Sequence, residues 1–446
     1  MPPAKAPARI YFRTLGCAKN RVDSEVMLGA LALGGYAIAE ELGDADVAIV
    51  NTCSFIQSAR EESVQEILEL ADCKERGELQ ALVVAGCLPQ RYGADLAKEL
   101  PEVDAFVGTG QFQNIAAILD EARAGRSKGV YVDAGRTHLY DESSPRLLIG
   151  PRHSAYLKIA EGCDRVCAFC AIPAIRGRFQ SRTLESIVAE ARQLAGQGVR
   201  EVNVISQDTL SWAKDLDGKP RAAELVRALD AVDGLDWVRL LYLYPSALSD
   251  ELIDAIAGAK RVLPYIDVPL QHASDRVLRA MKRGVTAERQ RKLVEKLRAR
   301  IPGVVLRTTF IVGFPGETDA DFAELCDFVR ETRFDRVGVF RYSDEEGTSA
   351  LGLDGRVARS VSRARHRQLM KLQHGIMREQ LAALVGEEVQ VLVDSGSAGY
   401  AVGRTWAQAP EVDGCVLLRG ESRTGALVNA RITGLRDVDL EAEVAV

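Results

Sequence analysis

No stretch of this chain is apolar for long enough to cross a bilayer, and its first residues, Met-Pro-Pro-Ala-Lys-Ala-Pro-Ala-Arg, lack the apolar core of a secretory signal. Neither membrane insertion nor export is expected, and the chain reads as cytoplasmic. Internal repeats and low-complexity tracts are missing as well, which excludes solenoids and disordered scaffolds. A surplus of positive charge is also lacking. Against 57 basic residues stand 63 acidic ones, a net of −6 at pH 7, so the overall balance advertises no nucleic-acid partner. What remains is ordinary for a globular protein: 446 residues, 47% hydrophobic and 27% charged. That length suggests about two to four domains with ample buried core.

Cysteine breaks the pattern. Nine cysteines in a large chain of a reducing compartment favour metal binding or catalysis over disulfides. Cys163, Cys167 and Cys170 form a C-x3-C-x2-C run within Glu-Gly-Cys-Asp-Arg-Val-Cys-Ala-Phe-Cys. A loop this short can place three thiolates on three irons of a [4Fe–4S] cube and leave the fourth iron open to a small molecule. A structural zinc would need a fourth protein ligand, and His153 lies ten residues upstream across a predicted strand. Cys17, Cys53 and Cys87 are far apart in sequence, yet each follows the end of a predicted strand. That shared setting marks them as a second three-thiolate site. Cys73, Cys326 and Cys415 fall in or beside regular elements and read as packing residues.

Strands are predicted at Arg9–Leu15, Asp46–Val50 and Ala81–Ala85, with a helix whose Val64, Ile67, Leu68 and Ala71 share one face. This alternation gives a doubly wound parallel-sheet domain over residues 8–125, with ligands expected outside the strand C-termini. A linker at 126–152, marked by Gly135, Pro145, Gly150 and Pro151, follows. Six more strands, at Ala155–Ala160, Glu201–Ile205, Val238–Tyr242, Tyr265–Leu270, Val304–Val312 and Arg336–Arg341, alternate with helices such as Leu184–Leu194 and Asp321–Val329. An open (β/α)6 partial barrel over 153–375 accommodates them, its cysteine loop on the face where such barrels keep their chemistry. A basic helix from Arg359 to about Lys371 closes this part, and short alternating runs over 377–446 indicate a small β-barrel. The fold class is α/β with an all-β appendage. Gln207 and Asp208 end the second barrel strand, where Gln207 is a candidate cofactor contact. Gly313 and Gly316 suit a strand-to-helix turn, and His272 a hydrogen-bonding role in the framework.

The C-x3-C-x2-C loop after a first barrel strand resembles the radical S-adenosylmethionine superfamily. In that superfamily the cofactor chelates the open iron, and an electron from the cluster cleaves it to a 5′-deoxyadenosyl radical. The resemblance implies S-adenosylmethionine as cofactor and Phe169 as a candidate contact for its adenine. Asn51-Thr52-Cys53, Ile172-Pro173 and Arg176-Gly177 after the cysteine loop, and the three-domain order narrow the likeness to the methylthiotransferases, whose C-terminal barrel is the TRAM domain. The match runs from about Arg9 to the end, and no motif cysteine is missing. Carried across, it assigns an auxiliary, sulfur-donating [4Fe–4S] cluster to Cys17, Cys53 and Cys87, and the radical-generating [4Fe–4S] cluster to Cys163, Cys167 and Cys170. It also implies an electron donor of flavodoxin or ferredoxin type.

One branch of that family modifies an adenosine of transfer RNA, the other an aspartate of small-subunit ribosomal protein twelve. Asp267-Val-Pro-Leu-Gln-His272, Phe310-Ile-Val-Gly-Phe-Pro-Gly-Glu-Thr318, Asp335-Arg-Val-Gly-Val-Phe-Arg-Tyr-Ser343 and Gly403-Arg-Thr405 with Ala409-Pro-Glu-Val-Asp-Gly414 look like the ribosomal-protein branch. Charge agrees: from Gln380 to Val446 there are five arginines, no lysine and ten acidic residues, a net of −5. A barrel built for an RNA backbone should be positive, whereas an acidic one suits a basic ribosomal protein. Direct RNA binding is therefore not expected. The expectation is an enzyme that inserts sulfur and a methyl group at an aspartyl β-carbon; the alternatives are a transfer RNA adenosine methylthiotransferase and a non-catalytic cluster carrier.

Overall fold

The computed structural model describes residues 7–126, 129–133, 139–397 and 399–445; Gly135 of the expected linker lies outside them. Three bodies follow one another. The first is a six-stranded, all-parallel sheet in the order Ala37–Ala39, Arg9–Thr14, Val47–Thr52, Ala81–Gly86, Ala105–Val107, Gly129–Tyr131. Val47–Thr52 and Ala81–Gly86 are buried along their whole length, because helices cover both faces and a central parallel strand has no solvent side. The strand Gly129–Tyr131 extends this sheet past residue 125, into what reads as linker by sequence.

The helix Gln57–Glu75 packs through Ser63, Ile67, Leu70 and Ala71. Leu68, expected on that face, is 40% exposed. It sits one residue beyond Ile67, so the turn of the helix carries it off the stripe, and Leu70 takes the place assigned to it.

The second body is an open sheet of six parallel strands: Ser154–Lys158, Glu201–Ile205, Trp237–Leu240, Val262–Asp267, Val305–Val312 and Arg336–Arg341, in chain order. The fourth was expected at Tyr265–Leu270 but ends at Asp267. Pro269 has no N–H for a ladder, and Gln271 beyond it adopts φ 73°, outside strand geometry. A 24-residue helix, Arg359–Ala382, then runs through the expected boundary at 375–377. The third body is a closed five-stranded barrel: Glu388–Ser397, Tyr400–Thr405, Val416–Arg419, Leu427–Arg436 and Asp439–Val444, around Val391, Val393, Leu418, Ile432 and Leu440. Among the described residues, no helix is long and apolar enough to cross a membrane.

The bodies are fastened to one another by apolar contact and buried charge. Val22 and Val26 of the helix Ala18–Leu33 meet Tyr156, Trp237 and Tyr265 from the parallel strands and Leu392 and Ala409 of the C-terminal barrel in one apolar cluster. Glu345, buried beyond the last parallel strand, holds Arg60 and Arg91 of the first body, the latter at 2.9 Å. Glu201 pairs with Arg239 at 3.1 Å and with Arg404 of the C-terminal barrel at 2.8 Å, all three buried. Asp394 and Asp413 also face inward, toward His153 at 2.9 Å and the Tyr265 hydroxyl at 2.7 Å. Removing one member of a buried ion cluster strands the others. Glu201→Ala is thus expected to cost about 3–5 kcal/mol in denaturant unfolding, and an unmoved midpoint would show that the cluster carries no stability.

Candidate active site

Cys17, Cys53 and Cys87 follow three adjacent strands of the first sheet, Arg9–Thr14, Val47–Thr52 and Ala81–Gly86. Cys17 caps the helix Ala18–Leu33 in extended conformation, and Cys87 opens the helix Cys87–Glu99. Gly16 is what lets them approach. Its φ of +91° suits glycine, and a Cβ there would stand 2.7 Å from the Cys53 Cβ. Asn20 ties the strand ends together: its Nδ2 donates to the carbonyls of Leu15 (3.0 Å) and Thr52 (2.9 Å), and its Oδ1 lies 3.6 Å from the Cys87 sulfur. The Ser63 hydroxyl accepts from the Cys53 N–H at 3.1 Å. The three cysteines thus stand past the ends of adjacent strands, on one edge of the sheet.

Cys163, Cys167 and Cys170 occupy the loop after Ser154–Lys158 and the two-residue strand Ala160–Glu161. The Cys163 sulfur accepts from the Arg165 N–H at 3.4 Å, and the Cys167 sulfur from Arg283 Nη1 at 3.3 Å. Arg283 and Arg165 both stack on Tyr244, at 4.3 and 3.8 Å from the ring centroid. The short helix Ile172–Arg176 then leads from this loop to the other triad. Ala171 and Ile175 pack on Cys87, and Arg176 Nη2 donates to the Cys87 sulfur at 3.3 Å.

Electrostatics tie each triad together. Burial pushes the Cys53 thiol up to about 12, with the neighbouring Cys87 and Cys17 charges adding to it. Burial raises Cys87 to about 11 against the pull of Arg176. In the loop, burial raises Cys163 to about 11 and Cys170 to about 12; the Arg165 and Ile172 N–H groups oppose this, and the neighbouring cysteine charges reinforce it. Sulfurs that repel one another as thiolates become a favourable set only around a strongly positive centre. Among the described residues no three His, Cys, Asp or Glu side chains meet at the single point one metal ion requires. An iron–sulfur cube offers each thiolate its own iron, so its ligands surround a body rather than a point, and two sets of three thiols fit that donor pattern.

Between the triads lies a buried ion cluster that sequence reading missed. Arg176 Nη1 pairs with Asp23 at 2.7 Å and Glu161 at 3.0 Å, and Lys158 pairs with Glu161 at 2.8 Å and with Asp23. Glu161 and Arg176 flank the cysteine loop in sequence, and Arg176-Gly177 stood among the motifs of the resemblance, but neither signal pointed to an ion cluster. Asp23 and Asn20, on another body, gave none. Gln207 donates to Glu161 while its own Oε1 is buried without a described partner, as is Asp208 Oδ1. Phe169 is half-buried beside Ala168, Met281 and Phe314. Lys19 is buried with its Nζ 2.9 Å above the Tyr242 ring centroid, and burial lowers it to about 8 against the pull of Cys17. His272 is fully buried and accepts the Ser274 N–H at 3.0 Å, a framework role as expected, while His153 is occupied by Asp394, away from both triads.

Burial disfavours the Glu161 carboxylate, but Arg176 and Lys158 outweigh it and hold the group down at about 2. A depressed carboxylate stabilises the fold above the ordinary glutamate range and loses that contribution as pH falls toward 2. Unfolding midpoints measured from about pH 5 downward are therefore expected to fall less steeply in Glu161→Gln, from a lower starting stability. A parallel acid limb would remove Glu161 as a cause.

Residues 9–108 match the family described as Uncharacterized protein family UPF0004, 157–329 the Radical SAM superfamily, and 385–445 the TRAM domain. The ribosomal protein uS12 methylthiotransferase RimO of Symbiobacterium thermophilum is 49% identical, covering 99% of this chain and 92% of its own. That of Sorangium cellulosum is 47% identical (98% and 91%), and that of Geobacter sulfurreducens 46% (99% of each). Among solved structures, the radical S-adenosylmethionine methyltransferase TsrM from Kitasatospora setae, with cobalamin and a [4Fe-4S] cluster bound, aligns over 77% of each chain with a TM-score of 0.55 and 17% identity. The cobalamin-dependent radical enzyme OxsB aligns over 83% of this chain and 58% of its own, at 0.51 and 11%. Those two likenesses speak to the fold alone.

Proposed function

The chain belongs to the ribosomal protein uS12 methylthiotransferase family, and from that membership we propose that it inserts sulfur and a methyl group at the β-carbon of an aspartate of uS12. The observation that carries this reading is the pair of three-cysteine sets on facing bodies, joined by Arg176. In our proposal Cys17, Cys53 and Cys87 hold an auxiliary [4Fe–4S] cluster, and Cys163, Cys167 and Cys170 the cluster that engages S-adenosylmethionine. Bound there, these groups supply the electron, the hydrogen-atom acceptor, the sulfur and the methyl group for a C–H bond too inert for a base at neutral pH.

The protein's part is placement and charge. Arg176 and Arg283 set positive charge against the Cys87 and Cys167 sulfurs, and at the buried Cys87 the Arg176 charge favours the thiolate. The Asp23, Glu161, Lys158 and Arg176 cluster fixes the two triads relative to each other, so that substrate and both sulfur sets meet in one geometry. The unpaired Gln207 Oε1 supports a hydrogen-bonding role toward the cofactor, and the half-buried Phe169 an apolar contact with its adenine.

A basic ribosomal protein suits the C-terminal barrel. Setting aside Asp394, Glu411, Asp413 and Arg404, which bond to side chains of the other bodies, seven acidic residues remain against four arginines from Gln380 onward. That surface also disfavours direct RNA binding. The enzyme would work in the cytoplasm with a flavodoxin- or ferredoxin-like reductant.

Iron and sulfide quantitation on anaerobically prepared protein tests the assignment. Cys53→Ala and Cys167→Ala should each lose about four irons relative to wild type, and a Cys53→Ala protein with full iron would overturn the auxiliary site. Mass spectrometry should then show uS12 gaining one methylthio group. Modification of transfer RNA instead, with binding that falls steeply as salt rises, would overturn the substrate.

A further inference from the structure

Lys19 is a cation where a cation is disfavoured. It lies in the first turn of the helix Ala18–Leu33, at the positive end of the helix dipole, and no acidic residue shares that turn. Its side chain is 6% exposed. Among the described residues no carboxylate comes within salt-bridge distance of its Nζ; the group is held instead at 2.9 Å over the Tyr242 ring. Cys17, two residues away, is the nearest group of opposite charge, and the two carboxylates that follow it are committed elsewhere. Asp267 is paired with Arg307 at 2.8 Å and accepts the Tyr242 N–H at 2.9 Å, while Glu161 is locked to Lys158 and Arg176. Apart from Cys17 and the Tyr242 ring, the buried ammonium has no counter-charge committed to it, and burying such a group is costly in proteins generally, so an acid arriving from outside would be favoured there.

Its platform is shaped for that arrival. Tyr242 follows the third parallel strand, Trp237–Leu240, with φ at +63°, a conformation that an aromatic side chain disfavours and that the bond to Asp267 stabilises. The tyrosine is thereby turned under Lys19, two residues from Cys17, in the space between the first sheet and the open barrel. We propose that Lys19, seated on Tyr242, is a carboxylate-binding subsite that receives the side chain of the substrate aspartate and sets its β-carbon beside the Cys17, Cys53, Cys87 edge. This rests on the uS12 reading for the identity of the carboxylate. It adds a reason for the choice of aspartate: an asparagine could accept a hydrogen bond but would bring no counter-charge to the ammonium.

The test compares equilibrium binding of uS12 and of uS12 carrying asparagine at the target position, using cluster-loaded wild type, Lys19→Met and Lys19→Arg. Wild type should prefer the aspartate form by about 10- to 100-fold, the range of a charged hydrogen bond. Lys19→Met, of similar length and apolar reach, should bind both forms alike with its iron content intact, and Lys19→Arg should keep the preference. A Lys19→Met protein that still prefers aspartate as wild type does would overturn the subsite. So would one that keeps the preference but loses iron, which would make the lysine a counter-charge of the cluster, or that keeps it but loses affinity for S-adenosylmethionine, which would assign it to the cofactor. A wild type that binds the aspartate form preferentially yet leaves it unmodified would overturn the proposed reaction and leave the lysine assignment standing.

Discussion

Four charges with almost no access to water hold this molecule in its working shape. Asp23 comes from the first body, Lys158 and Glu161 from the start of the second, and Arg176 from the end of the segment that carries the cysteine loop. Two positive and two negative groups balance, and each carboxylate serves both cations. Such a cluster contributes little net stability over apolar packing, but it punishes any misdocked arrangement by leaving a buried charge alone. Its effect is therefore on geometry, permitting one relation between the first sheet and the open barrel.

That relation sets where the two groups of sulfur atoms stand. One triad belongs to the first sheet and the other to the barrel, so neither body alone contains both. Arg176 stands at the junction, bonded to the acid cluster through one nitrogen and to Cys87 and Asn20 through the other. The same guanidinium thus fixes the domains and sets charge beside a thiol that burial raises. From the barrel side, Arg283 donates to the Cys167 sulfur. The C-terminal barrel is anchored in the same manner, through Glu201 with Arg239 and Arg404, so its acidic outer surface is held at a constant position relative to the site.

Much of this was legible in the sequence, for reasons that differ by element. The parallel strands were readable because both their faces are buried, which writes them as continuous apolar runs such as Val47–Val50 and Ala81–Ala85. Errors arose where a local rule competed with the tertiary one. Leu68 satisfied helical periodicity but missed the packed stripe, and Val268 and Leu270 were apolar enough for a strand that Pro269 ended. Gly129–Tyr131 joined the sheet from a stretch too short to show a period.

The grouping of six cysteines into two sets of three and the order of the domains could be read from the chain itself, because loop spacing and strand-end position are local properties. Only the tertiary structure decided which charges accompany those sulfurs. Asn20 and Asp23 meet Arg176 across more than 150 residues, and Lys19 finds Tyr242 across a domain boundary. No periodicity or spacing encodes such encounters. Whether a polar side chain is solvated, paired or left waiting for a ligand depends on what the rest of the fold places opposite it.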